Sequence, residues 1–249
     1  MKMKRTLCLL FALGWLGLSW PALADRAADF NLFNAAKAGD AKKVSELLQQ
    51  GASVKARNRF GNTALLLAAR SGNAETVRVL IEAGSDVNQP NLKNVTPLAA
   101  AAYLGDEPTV RLLLDHGADP LVADITGKTA MVYAAAHGSD RIVRWLLEQG
   151  VEVNRRYHND LTALMWAAGF GRTSTVKLLL EAGADPDLLD NRGRSALMMA
   201  AENGHRETVE LLLAHGVDTA LRDREGKNAA DLARAAGHAE LAALIEGTG

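Results

Sequence analysis

The fold is decided by a stretch that recurs along the chain, and its clearest copy spans Asp160–Asp187, DLTALMWAAGFGRTSTVKLLLEAGADPD. Three columns of residues repeat at a spacing of 33 residues without a slip. The first column holds hydroxyl or amide side chains: Thr63, Thr96, Thr129, Thr162, Ser195 and Asn228. The other two hold glycines: Gly39, Gly72, Gly105, Gly138, Gly171, Gly204 and Gly237, then Gly51, Gly84, Gly117, Gly150, Gly183 and Gly216. A period of this length predicts an array of stacked units.

Each unit is predicted to contain two short helices. A hydroxyl or amide in the first column can accept a hydrogen bond from a free backbone N–H and so begin helix A, and the next glycine can end it. The residues after that glycine, among them Asp40, Asn73, Asp106 and Ser139, are expected to cap helix B, which runs to the last glycine column. Helices this short do not persist alone in water, so the units must bury their apolar faces on one another.

A polar loop joins each unit to the next, and one further column marks its tip. The members of this column are Gly61, Asn94, Gly127, Asp160, Gly193 and Gly226. Glycine, asparagine and aspartate are the residues that best tolerate a positive φ. The column therefore predicts a tight turn, interpreted as the tip of a β-hairpin.

These residues resemble an ankyrin-repeat protein. The family's Thr-Pro-Leu opening is present as Thr96-Pro97-Leu98, and its Leu-Leu-Leu-x-x-Gly-Ala-Asp run as Leu112–Asp119 and Leu178–Asp185. The histidine that often follows the opening is replaced by apolar residues: Leu66, Ala99, Val132, Met165 and Met198. The resemblance implies an all-α repeat solenoid of about seven helix-turn-helix units with β-hairpin loops, and a function in binding other proteins.

The first 24 residues are predicted to be a signal peptide. They contain a basic start, an apolar run at Leu7–Trp20 and a small-residue cleavage site at Ala22-Leu23-Ala24, which is the three-part pattern of export signals. An uncleaved anchor is the alternative, but the run is shorter than the ~20 residues of a spanning helix. The only cysteine, Cys8, falls inside this segment. We expect a periplasmic protein cleaved after Ala24; release from the cell stays open.

The remaining chain, 25–249, is predicted to be one repeat domain, with an N-terminal cap over 28–57, five full units over 58–222 and a C-terminal cap over 223–247. Cleavage would remove three of the 28 basic residues and none of the 29 acidic ones, for a net charge of about −4. This balance argues against a nucleic-acid or membrane partner recruited by bulk charge. We expect a monomer.

The sequence favours neither an enzyme nor a cofactor. A glycine-rich phosphate loop, a nucleophile elbow and a zinc-protease motif are all absent from it. The six histidines lack partners at metal-ligand spacing, and Met165, Met198 and Met199 are interpreted as core residues. The predictions are no catalytic residue, no cofactor and no metal.

Candidate binding residues are those that the repeat leaves free to vary. In the family's architecture, the loop tips and the end of helix A line a concave groove. The predicted partner-binding residues there are Arg59, Phe60, Arg70, Leu92, Val95, Tyr103, Leu104, Ile125, His137, His158, Leu161, Phe170, Arg192 and Arg194. Exposed apolar residues with an arginine rim indicate a protein interface, unless they pack within their own loops. A small-molecule or metal carrier that uses His137, His158 and the aromatic residues is the second hypothesis.

Overall fold

The computed structural model describes the backbone of residues 20–248, with side chains from residue 27 onward. The predicted export signal lies largely outside these residues. Seven A helices alternate with seven B helices in the described part. The A helices are α1 Trp20–Ala38, α3 Ala64–Arg70, α5 Pro97–Leu104, α7 Ala130–His137, α9 Ala163–Gly169, α11 Ala196–Glu202 and α13 Ala229–Ala235. The B helices are α2 Ala41–Gln49, α4 Ala74–Glu82, α6 Glu107–Asp115, α8 Asp140–Glu148, α10 Thr173–Glu181, α12 Arg206–Ala214 and α14 Ala239–Glu246.

The helices form two layers. Each A helix packs on its own B helix and on the A helices of the adjoining units, and each B helix packs on the B helices beside it. Leucine, alanine and methionine fill the space between the layers, with Leu65, Ala101, Met165 and Leu179 fully buried. The predicted all-α repeat solenoid is confirmed. None of the helices described is both long and apolar enough to cross a membrane.

Helix A begins as the first column predicts. Thr63 accepts a hydrogen bond from Leu66 N at 3.2 Å, and the other members of the column cap their helices in the same way except Thr129. The side chain of Tyr157, from the following loop, lies against the uncapped Thr129. An N-cap of this kind contributes about 1 kcal/mol to helix stability.

The predicted caps of helix B are right only in part. Asp40 accepts from the backbone N–H three residues on at 2.8 Å, but Asn73, Asp106 and Ser139 make no such bond. Asn73 does not cap its own helix because its side chain faces the preceding unit, where its amide donates a hydrogen bond to Lys37 O at 3.3 Å. At that position the side chain joins two units instead of capping one helix.

Five of the six loops between units are closed by one side chain. Asp124 Oδ1 accepts from Thr126 N at 2.7 Å and from Lys128 N at 3.1 Å. The equivalent pair of bonds is made by Asn58, Asn91, Asp190 and Asp223. All six residues of the loop-tip column have positive φ, as predicted. The loops are hairpin-shaped turns, and no β-strand occurs among residues 20–248.

The loop before Thr162 departs from this pattern. Tyr157 replaces the Asn or Asp, and the residues after it form a 3-10 turn in which Asn159 and Asp160 both have positive φ, 61° and 60°. Neighbouring loop tips are elsewhere joined by a backbone hydrogen bond, as in Leu92 N to Phe60 O at 3.1 Å. Within the described chain this bond is missing only between the tips that contain residues 126 and 158. The stack of loop tips is therefore interrupted at one junction.

Candidate functional site

Loop tips and A helices together form a face with three depressions. The N-terminal depression, of about 1360 Å³, lies between α1, the first loop and α3. The central depression, of about 680 Å³, lies between the first two loops, α5 and α7. The loop depression, of about 410 Å³, lies at the interrupted junction. Phe60, Asn62 and Arg70 line both of the first two depressions, which therefore form one continuous surface, called the groove.

The central depression is lined by exposed apolar residues. Leu92, Tyr103, Phe60 and Leu104 expose 70%, 56%, 56% and 50% of their surface, and Val95 is half-buried beside them. These are five of the predicted partner-binding residues, and the sixth in this depression is Arg70, which is also exposed. The alternative, that such residues pack within their own loops, does not hold for the four exposed ones. A contiguous exposed apolar patch commonly marks a contact site.

Tyr103 is held at the floor of the groove by two other rings. The ring of Tyr133 meets it edge to face with the centroids 5.4 Å apart, and the ring of His137 does the same at 4.8 Å. Edge-to-face contacts of this kind are favourable beyond the apolar area that they bury. Tyr103 is therefore a fixed aromatic surface, which reduces the entropy lost when a ligand packs on it.

A buried hydrogen-bond network supports Tyr133. Its hydroxyl donates to Oδ2 of Asp124, and Thr126 donates to the other carboxylate oxygen through its hydroxyl at 2.7 Å. Burial acts to raise the pKa of Asp124, but the hydrogen bonds from Tyr133, Thr126 and the backbone outweigh it and hold the pKa below its usual value. Burial and the bond to Asp124 raise the pKa of Tyr133. At neutral pH the network is a fixed phenol–carboxylate pair.

The loop depression is lined by another part of the predicted set, namely Ile125, His158 and Leu161. Trp166 forms one wall, and the ammonium group of Lys128 lies 5.6 Å from the centre of its ring. Phe170 also stacks on this tryptophan, with the ring centroids 6.0 Å apart. The indole N–H of Trp166 is buried and has no hydrogen-bond partner among the described residues. Burial raises the pKa of Tyr157, another wall residue, to about 12.

The predicted arginines fall into two groups. Arg59 lies over the ring of Phe60, with the guanidinium carbon 4.7 Å from the centroid. Arg194 instead binds residues of its own unit: Nη1 lies 2.5 Å from Glu202 Oε2, and Nε lies 3.9 Å from Asp190 Oδ2. Arg192 lies 3.6 Å from the same Asp190. Arg192 and Arg194 line none of the three depressions.

Most histidines have structural contacts. Nε2 of His205 lies 3.0 Å from Gly169 O of the preceding unit, and the rings of His116 and His215 each bind the carbonyl one turn earlier at 2.8 Å. His137 packs on Tyr103, whereas His158 lines the loop depression. No group of three or more potential metal ligands occurs among the described residues. The carrier hypothesis gains no support from this placement.

Five aromatic residues that line the three depressions were not among the predicted set: Phe30, Phe33, Tyr133, Tyr157 and Trp166. Tyr133 and Trp166 occupy the same position in successive A helices, where the neighbouring units have Leu67, Ala100 and Met199. Because the flanking alanines are core residues, this position is easily taken for core as well. The variation from alanine to tryptophan is the signal that could have identified it, since a packed position tolerates little change in volume.

Comparison with known proteins agrees with this architecture. The family model described as "Ankyrin repeats (3 copies)" matches residues 32–124, 84–157, 120–190 and 164–247. The crystal structure of the human ASB11 ankyrin repeat domain is similar, with 27% sequence identity and a TM-score of 0.78, over 86% of this chain and 96% of that chain. A search of curated proteins gave no match. Because the family matches together extend from residue 32 to residue 247, the chain belongs to the ankyrin-repeat family.

Proposed function

We propose that this protein is a non-enzymatic scaffold that binds a partner protein in the groove. Ankyrin repeats generally mediate binding between proteins, and proteins built from them are typically non-enzymatic. The observation that carries the proposal is the exposed apolar floor of the central depression, with Tyr103 held in place by Tyr133 and His137. A fixed tyrosine ring beside an arginine has the composition of a binding hot spot, and the exposed leucines around it extend the apolar contact surface.

Export to the periplasm is part of the same proposal. It is supported by the basic start, the apolar run and the Ala-Leu-Ala site that precede the repeats. N-terminal sequencing of the protein purified from its native host should begin at Asp25. A cytoplasmic protein that retains Met1 would contradict the proposed location but would leave the proposed groove untouched.

Affinity capture from a native extract, followed by mass spectrometry, tests the scaffold function. We expect the wild-type protein to retain a partner that the double variant Tyr103→Ala, Phe170→Ala loses, chiefly through Tyr103, because Phe170 lines neither depression of the groove. Both rings are exposed, so their removal should leave the fold intact. Circular dichroism melts of the same samples check this expectation.

The control is the double variant Glu181→Ala, Glu210→Ala on the B helices α10 and α12. Each glutamate is in an exposed i,i+4 ion pair, which contributes little to stability. This variant should capture the partner as the wild type does. Equal capture by all three proteins would contradict binding in the groove, and so would unfolding of the Tyr103 and Phe170 variant without selective loss of the partner.

A further inference from the structure

We infer that the segment bound in the groove is a polypeptide stretch that carries carboxylate side chains beside bulky apolar ones. This inference rests on the proposed function and adds the chemistry of the ligand. The groove contains an excess of positive charge from five residues: Lys37, Arg57, Arg59, Arg70 and Lys93. One carboxylate, Asp29, lines it as well, and that carboxylate accepts a hydrogen bond from Ser53 N at 2.8 Å.

The cations of the groove make no ion pairs in the described part of the chain. Within the described chain, none of the five cations lies within 4.0 Å of a carboxylate. The whole sequence has a net charge of −1, so the excess is local and not a consequence of composition. A cleft lined by charge of one sign concentrates its field and attracts ligands of the opposite sign.

Some of these cations are held in place by neutral groups. Arg57 donates from Nε to Gly61 O at 3.1 Å and from Nη2 to Pro90 O at 2.7 Å. Arg59 rests on the ring of Phe60. Carbonyl dipoles and an aromatic face orient a guanidinium group but do not neutralise it. A ligand carboxylate would therefore gain charge-assisted hydrogen bonds from groups that are already ordered.

Basic and apolar regions are continuous along the groove. Arg70 and Phe60 line both depressions, so the basic N-terminal depression leads directly to Tyr103 and the leucines of the central one. A ligand that satisfies both regions places its carboxylates towards α1 and α3 and its bulky apolar side chains against α5. Carboxylates without apolar side chains would leave the central depression exposed to water.

Single-stranded nucleic acid is the other class of ligand with negative charge. Nucleic-acid grooves present successive aromatic rings on which bases stack, whereas three of the apolar residues in the central depression, Leu92, Val95 and Leu104, are aliphatic. Aliphatic walls suit apolar side chains better than bases. The observations therefore favour a peptide, and an oligonucleotide serves as a test of the inference.

A displayed library of random dodecapeptides, selected on the purified protein, tests the inference without a known partner. We expect the selected peptides to contain an excess of Asp and Glu beside Phe, Leu or other bulky apolar residues. Fluorescence anisotropy of synthesised peptides then measures their affinity. The double charge reversal Arg59→Glu, Arg70→Glu should weaken binding roughly tenfold or more, and the affinity of the wild type should fall as salt is added.

The matched control is Arg144→Glu, because Arg144 is exposed on α8 and has no ion pair among the described residues. It should leave the affinity unchanged, and the variant Arg59→Lys, Arg70→Lys should retain most of it. If the selected peptides depend on Tyr103 for binding but contain no excess of Asp and Glu, and bind the charge-reversal variant as tightly as the wild type, the inference is contradicted. The proposed function would not be contradicted by that result. Oligothymidine that displaces the peptides would also contradict the inference. Failure to select any peptide that depends on Tyr103 would contradict the proposed function and the inference together.

Discussion

The units before residue 171 and those after it differ in the surface that they present. All eight large apolar residues that are exposed in the described chain lie in the first part: Phe30, Phe60, Leu92, Tyr103, Leu104, Leu121, Ile125 and Phe170. After residue 171 the charges are instead mostly paired within the protein, and seven of the nine Lys and Arg side chains there lie within 4.0 Å of a carboxylate. The exceptions in the described chain are Arg172 and Arg224.

The difference teaches that the same repeat can be used in two ways. In the last units, the variable positions satisfy one another, as Arg194 does with Glu202. In the first units they are left unsatisfied, with the ring of Tyr103 exposed and the guanidinium of Arg70 unpaired in the described structure. Unsatisfied groups on a stable scaffold are available to a partner, whereas satisfied groups contribute to the stability of the fold.

The strongest test of this comparison uses two positions that are three repeats apart. Tyr103 and Leu104 correspond to Glu202 and Asn203. Changing the first pair to alanine should weaken the captured partner's binding by about 2 kcal/mol or more, because aromatic anchors dominate interfaces. Changing the second pair should leave binding unchanged. Isothermal titration with the purified partner measures both, and equal losses would show that the two regions are not functionally distinct.

The reverse pattern is expected for stability. Arg194→Ala removes the cation beside Asp190, whose side chain is only 1% exposed, and should lower the free energy of unfolding by about 2 kcal/mol. Arg70→Ala removes no ion pair and should change it by less than about 0.5 kcal/mol. Urea unfolding followed by circular dichroism distinguishes the two variants. A larger loss of stability in Arg70→Ala would mean that the groove cations support the fold.

The fold could be predicted from the sequence because its determinants are local and repeated. The capping hydroxyls, the glycines with positive φ, and Asn94 and Asp160 at the loop tips each act within a few residues. Features that depend on the neighbouring unit could not be predicted. Asn73 binds a carbonyl 36 residues earlier instead of capping its helix, and the column pattern gives no information on the direction of that side chain.

The candidate site could be predicted only in part, for a related reason. Exposure at the end of an A helix follows from the register, and the structure places Tyr103 and Phe170 at the surface. The pairing of Arg194 with Glu202, and the contact of Tyr133 with Tyr103, depend on side-chain directions in three dimensions. Sequence register identifies the positions that are free to vary, but not which of them satisfy each other.

Tyr133→Phe tests the support beneath the groove. The change keeps the ring on Tyr103 and removes the hydrogen bond to Asp124, so we expect a loss of about 1–2 kcal/mol in the free energy of unfolding at neutral pH. Tyr103→Phe is the control, because its hydroxyl makes no hydrogen bond within the described residues, and it should cost less than about 0.5 kcal/mol. Chemical denaturation of both variants measures these losses.

The pH dependence of this loss has a definite sign. The pKa of Asp124 is lower in the folded protein than the ordinary value of 3.8. Its stabilising contribution is therefore complete above that value and is lost as the pH falls through the folded pKa. The difference in stability between the wild type and Tyr133→Phe should shrink below about pH 4. A difference that is constant down to the acid transition would show that Asp124 is not the acceptor that matters.

The smallest expected effect concerns the interrupted junction between loop tips, which lies within the first region. Asp160 occupies the loop-tip column, where four of the six members are glycine, and its φ of 60° is unfavourable for a residue with a side chain. Asp160→Gly should relieve that strain, although glycine also gains entropy in the unfolded chain, so we expect a net gain of about 0.5 kcal/mol. Gly226→Asp in the same column should act in the opposite direction, and thermal denaturation of both variants measures the changes.

Because Asp160 does not line the central depression, partner binding should be the same in Asp160→Gly as in the wild type. A change in affinity would show that the junction transmits strain to the groove.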